Sequence, residues 1–113
     1  DDPTLRRCIR FASDWGFDAL WIVNLYAFRS PDPRVLETII DPIGPDNDKY
    51  IRTLVAKSNQ VVVCWGVSGR EDRKQSVLKM LPAAHCLGTT KRGEPRHPLY
   101  VRSSQKLVPY HKR

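Results

Sequence analysis

His97 and Asn24 are the two residues of this 113-residue chain whose type and position best suit chemistry. His97 stands in the stretch Lys91-Arg92-Gly93-Glu94-Pro95-Arg96-His97-Pro98, where glycine and proline punctuate a run of basic residues. Backbone restriction, rather than burial, positions side chains in such a loop. An imidazole there can donate to negative charge developing on a leaving base, or to a phosphate. It can equally pack on Tyr100 and do nothing more. Asn24 closes the apolar run that begins at Asp18, and in open parallel sheets ligands gather just past the carboxyl ends of the strands. Its amide carries both a donor and an acceptor, which suits the edge of a base. The competing reading is an amide that ties down the next loop, since buried amides must find partners either way. Arg29, Lys91, Arg92 and Arg96 are the candidate phosphate ligands, because a guanidinium can grip phosphate with two hydrogen bonds. Solvation is the ordinary fate of most such charges. Tyr100 joins them on the binding side.

Other groupings are weaker. Asp41, Asp46 and Asp48 with Asn47 form an oxygen-rich stretch, but prolines interrupt it and the spacing is not that of an EF-hand. Capping and turn formation account for these residues. Trp65-Gly66 reads as a core tryptophan at a strand end, with the glycine permitting close approach of a loop. Ser68 sits in Gly66-Val67-Ser68-Gly69, which is not a nucleophile elbow. Ser68 reads instead as the cap of a helix, through the capping-box pattern Ser68-Gly69-Arg70-Glu71. His85 lies in an apolar strand and reads as a satisfied core histidine. There is no phosphate-binding loop or dinucleotide fingerprint, and neither a cofactor nor a metal is expected.

The elements that must position these residues follow from periodicity. Leu5, Cys8, Ile9 and Ala12 have helical spacing and Phe11 and Trp15 widen that apolar face, with Asp2 as cap, Pro3 at the first position and Gly16 as terminator. Asp18–Asn24 reads as a strand covered on both faces, as in a parallel sheet. Ser30-Pro31-Asp32-Pro33 opens a short helix carrying Val35, Leu36, Ile39 and Ile40, which Asp41-Pro42-Ile43-Gly44-Pro45 breaks. Asp46 or Asn47 caps a further helix with Tyr50, Ile51, Leu54 and Val55 facing inward. Gln60–Gly66 is a second buried strand, and a helix carrying Val77, Leu78 and Leu81 runs to Pro82. Ala84–Gly88 is a third, short strand. Thr89–Tyr100 is loop, and Leu107–Tyr110 is a last apolar group. Alternation of strands and helices predicts a three-layer α/β/α sandwich around a short, mostly parallel sheet. The strand that ought to open such a sheet is missing, so the chain reads as a single α/β domain, 1–113, or a fragment of a larger one. An uncovered sheet edge is a template for pairing, which makes a homodimer through that edge one expectation.

Bulk properties narrow the partners. Nineteen Lys and Arg against twelve Asp and Glu leave a net charge of +7, which favours nucleic acid, nucleotide or phosphate. No apolar run has the length of a membrane span, so no membrane partner is expected. No secretory leader is expected either. The three cysteines, Cys8, Cys64 and Cys86, lie in apolar stretches with no metal-ligand or disulfide spacing. They read as small hydrophobes in a reducing, cytoplasmic compartment.

Longer runs carry a resemblance. These are Asp2-Pro3-Thr4 with Arg6-Arg7-Cys8, Asn24-Leu25-Tyr26-Ala27 with Arg29, Asp41 through Asp48, Trp65-Gly66, and His85-Cys86-Leu87-Gly88 continuing through Thr90, Lys91, Gly93 and Pro95 to His97-Pro98-Leu99-Tyr100. In that order they resemble the bacterial and phage family called domain of unknown function 1643. That family usually begins with a strand ending in a Leu-Asn-Pro-Ser type loop, which has no counterpart here. More distantly the pattern is similar to the uracil-DNA glycosylase superfamily, built as α/β/α sandwiches. That resemblance implies a strand-end Asn at Asn24 and a late loop at His97-Pro98-Leu99, while the superfamily's first catalytic loop is not matched. The expected function is then a glycosylase-like, nucleic-acid-directed protein. It would hold a base or nucleotide where the strand ends converge, with Asn24 and His97 in one crevice. The alternatives are a nucleotide-binding module without catalysis and an interaction domain.

Overall fold

The computed structural model describes residues 2–26, 44 and 46–111. Its described elements are α1 (Pro3–Asp14), α2 (Asn47–Lys57), α3 (Glu71–Leu78), β1 (His85–Cys86), a 3-10 turn (Pro98–Tyr100) and β2 (Val108–Pro109). They fall into two compact units, one of Asp1–Ile22, Gln60–Val67 and Ala83–Arg113, the other of Val23–Asn59 and Ser68–Pro82. No helix among the described residues is long and apolar enough to cross a membrane.

In the first unit α1 begins as its sequence predicts. The Asp2 carboxylate accepts the Thr4 amide at 2.8 Å and Pro3 fills the first turn. Its end is a Schellman turn: Phe17 N–H donates to the Ala12 carbonyl, Gly16 N–H to that of Ser13, and Gly16 takes φ +85°. The expected apolar face is buried in part, with Cys8 and Ala12 half-buried. Phe11 is buried and stacks on Trp15 with ring centres 5.1 Å apart, while Leu5 and Ile9 stay exposed. Arg7 explains part of this, since its guanidinium lies over the Phe11 ring and donates to the Val101 carbonyl. It thereby draws the 7/11 edge of the helix onto the chain that follows the 3-10 turn.

The centre of this unit is a short ribbon. β1 pairs antiparallel with β2, His85 opposite Pro109 and Cys86 opposite Val108. On its other side β1 meets Val62 in a parallel bridge, with Val63 N–H donating to the His85 carbonyl at 2.8 Å and His85 N–H to that of Val61 at 2.9 Å. Pro109 has no N–H to offer a ladder, which suits an edge strand. Val63, Cys86, Leu87 and Tyr110 form the core together with Phe11.

The fold is therefore mixed α/β, but among the described residues the sheet has two strands and is antiparallel, not the mostly parallel sheet of a three-layer sandwich. Both edges of β1 are occupied, one of them by the C-terminal residues 108–109, whose apolar group sequence reading left unassigned. Asp18–Asn24 is the larger departure. It is not a buried strand: residues 18–23 are exposed, and their backbone makes no hydrogen bond among the described residues. An apolar run becomes a strand only when its amides and carbonyls join a ladder.

The second unit holds α2 and α3. Asp46 is the residue before α2 but its side chain makes no cap bond; Ile51 is buried, Leu54 and Val55 half-buried, and Tyr50 exposed. α3 starts later than its capping-box pattern predicts. Gly69 adopts φ +96°, which interrupts the helix, so Arg70 precedes the first turn and Ser68 caps nothing. Glu71 and Asp72 then occupy that turn, where the helix dipole favours carboxylates. The buried side chains of α3 are Arg73, Lys74 and Val77. The helix expected over 30–40 lies outside the described residues.

Candidate functional site

The His97 loop of the first unit is built from a β-hairpin. Thr89 and Pro95 pair antiparallel, Thr90 N–H donates to the Glu94 carbonyl, and Gly93 N–H donates back to that of Thr90, both at 2.9 Å. The three-residue tip Lys91-Arg92-Gly93 places Gly93 at φ +82°, the left-handed position that such hairpins require. The hairpin is tied to its unit from two sides. The Trp65 indole N–H donates to Glu94 Oε2 at 3.3 Å, and the Tyr110 hydroxyl donates to the Gly93 carbonyl at 3.2 Å. The chain then runs between two glycines: Arg96 N–H donates to the Gly88 carbonyl at 3.0 Å, and Gly66 N–H to the Pro95 carbonyl at 2.8 Å.

His97 is thus delivered by fixed backbone. A Cβ at Gly66 would lie 3.3 Å from His97 Cβ, so the glycine admits the histidine at this closeness, as the Trp65-Gly66 reading anticipated. His97 Nδ1 accepts the Leu99 amide at 3.2 Å, capping the 3-10 turn. With Nδ1 accepting, the neutral ring carries its proton on Nε2 and offers an N–H donor. Tyr100 stands beside it, ring centres 5.6 Å apart, and is 79% exposed.

Burial pushes the His97 imidazole below its ordinary range, and the Asp2 carboxylate pulls only partly the other way. The neutral form is therefore favoured in the fold. Because the folded-state value is depressed, this contribution to stability is complete above about pH 6.5, the unfolded value, and fades as pH falls towards the folded one. Urea melts at pH 7.5 and 5.0 should show a loss on acidification that is smaller in His97→Gln. The His97 ring protons should titrate below those of a free histidine. Titration at or above the free value would show that burial does not favour the neutral ring.

Asn24 belongs to the second unit, and its loop is held from several directions. Asn47 Nδ2 donates to the carbonyls of Asn24 and Leu25, at 3.0 and 3.2 Å. Arg73 Nε donates to the Leu25 carbonyl at 2.6 Å, and Arg70 N–H to the Tyr26 hydroxyl at 2.9 Å. Arg73 also meets Asp48 at 2.7 Å. Asn47 and Asp48 are thus committed to the Asn24–Leu25 loop and to Arg73, not to the capping and turn formation that sequence reading assigned to that stretch. Sequence reading did not single out Arg73. A signal was available: Arg73 lies four residues before Val77, on the helix face that had to be buried.

Lys91, Arg96, His97 and Tyr100 all belong to the first unit, Asn24 belongs to the second, and Arg29 lies outside the described residues. His85 Nδ1 is 2.7 Å from Gln60 Nε2, a satisfied half-buried histidine as expected. The cysteines are free, and burial raises all three thiols, that of Cys64 to about 12. Such thiols are neutral and poor nucleophiles.

The pattern of one protein family, described as protein of unknown function (DUF1643), matches residues 1–99. The chain belongs to that family. The DUF1643 match takes in the whole hairpin and His97 and ends within the 3-10 turn, so β2 lies beyond it. No curated protein and no solved structure gives a match.

Proposed function

We propose that this DUF1643 chain is a nucleic-acid-directed protein that presents a neutral His97 Nε2–H to a base or a phosphate oxygen, with glycosylase-like base release as the reaction. The observation that carries the reading is the Leu99 amide on His97 Nδ1, which leaves Nε2–H as the donor of the neutral ring. Exposed Tyr100 offers a π-face beside that donor, and bases stack on such rings with little regard for sequence. The surplus of basic residues supplies attraction to the backbone. Lys91 and Arg96, in the same unit as His97, are the candidate phosphate ligands.

The test uses a fluorescently labelled oligonucleotide containing one uracil. Wild type should bind at low ionic strength and release uracil, and His97→Ala should lose release. Binding without release selects the second reading, a binding module without catalysis. No binding at low salt removes both. The exposed run Phe17–Val23 favours a third reading, an interaction domain that pairs with its own copy. Light scattering on the same samples decides it, because a monomer at high concentration excludes that pairing.

A further inference from the structure

We propose that the Thr89–Pro95 hairpin is a rigid cationic arm that grips the phosphodiester backbone of nucleic acid through Lys91 and Arg92; this rests on the nucleic-acid reading above. Lys91 and Arg92 are both exposed, and neither forms an ion pair among the described residues. The hairpin's carboxylate, Glu94, is turned onto the Trp65 indole and leaves the tip uniformly positive. The amides of Gly93 and Glu94 are used within the turn, by the carbonyl and the hydroxyl oxygen of Thr90. Those of Lys91 and Arg92 make no bond among the described residues and add two N–H donors to the two side chains.

Rigidity is the second part. A cationic loop that flexes must be ordered on binding, and that ordering opposes affinity. Here the left-handed Gly93, the Thr90 hydroxyl, the Trp65 indole and the Tyr110 hydroxyl hold the turn in place beforehand. Arg96 stands at the base of the arm with its side chain against Gly88, so a third exposed cation follows the same element. The chemistry fits nucleic acid better than an anionic membrane. The tip has no apolar side chain to enter an interface, whereas basic side chains and backbone N–H groups are the usual phosphate contacts of nucleic-acid-binding proteins. A hairpin is also narrow enough to enter a major groove.

The experiment measures anisotropy of a labelled oligonucleotide, single-stranded and duplex, across a KCl series. Wild type is compared with Lys91→Ala/Arg92→Ala and with Lys57→Ala/Lys79→Ala, which removes the same net charge from the second unit. Thermal melts confirm that all three fold. The tip variant should bind about tenfold more weakly, with its log–log salt slope reduced by about 1.5, as loss of two phosphate contacts requires. The control pair should keep the slope of wild type. Equal slopes for wild type and tip variant overturn the arm while leaving the nucleic-acid reading intact. A wild type that binds no oligonucleotide overturns that reading itself. Tip-dependent binding to phosphatidylserine vesicles without oligonucleotide binding overturns the choice of partner.

Discussion

Asp48→Ala should destabilise the second unit by about 3 kcal/mol, more than Arg73→Met, although Asp48 is the less buried partner. The Arg73 side chain is 3% exposed and that of Asp48 38%. Removing the carboxylate leaves a guanidinium enclosed without its counter-charge, and its Nη2 already has no hydrogen-bond partner among the described residues. Removing the guanidinium instead leaves a side chain that is 38% exposed, although its Oδ1 is enclosed, and methionine fills much of the vacated volume. The cost of Arg73→Met is then mainly the Leu25 carbonyl, which loses its 2.6 Å bond but retains Asn47, about 1 kcal/mol. Urea denaturation of the two single variants and the double variant closes the cycle. The double variant should be more stable than Asp48→Ala alone, because it no longer encloses an unpaired charge. An Asp48→Ala protein as stable as wild type would show that the contact contributes nothing. Since domains of this size are stable by roughly 5–15 kcal/mol, the predicted loss is easily read.

Gly66→Val should cost about 3 kcal/mol and displace His97. Two effects combine. A β-branched side chain at φ +68° is strained by about 1–2 kcal/mol. The new Cβ would also stand 3.3 Å from His97 Cβ in a buried position, adding overpacking of about 1–3 kcal/mol. Gly93→Ala separates the two effects. Its φ of +82° is just as left-handed, but nothing lies within 4 Å of the added carbon. It should cost only the backbone strain, about 1 kcal/mol. The decisive measurement is the NMR signal of the Leu99 amide, which reports the bond to His97 Nδ1. Gly66→Val should shift it and Gly93→Ala should not. An unmoved Leu99 amide in a folded Gly66→Val protein would show that Gly66 does not position the histidine.

Local rules made part of this protein legible without coordinates. The start of α1 depends on Asp2, Pro3 and Thr4 alone, and an N-cap is a contact between near neighbours. The glycine terminator of α1, the second helix near Asn47 and the burial of Ile51 follow from spacing in the same way. His97 was singled out because glycine and proline around it announce a fixed loop, and the loop is fixed. Its closeness to Tyr100 was anticipated as well. The hairpin was not, although Gly93 follows two residues that can form its turn.

Contacts between distant residues decided everything else. Asp18–Asn24 has the composition of a strand, yet a strand is defined by its neighbour's hydrogen bonds, and composition cannot supply a neighbour. β1 drew its partners from residue 62 and residues 108–109, so the direction of the sheet was set by segments far away in the chain. The capping box at Ser68 failed because Gly69 turned left-handed, and a Cβ there would lie 2.7 Å from Leu25 Cδ1. That is a tertiary approach invisible in a four-residue pattern. Arg73 is the clearest case. Charge alone places an arginine in water, and only the converging Leu25 carbonyl and Asp48 carboxylate offset its desolvation. Sequence alone set the Asp2 cap, the helical spacings and the net charge, because each depends on residues within a turn or two or on none in particular. Which cation is buried and which apolar run is left exposed came from tertiary contacts, because each depends on partners brought, or not brought, from elsewhere in the chain.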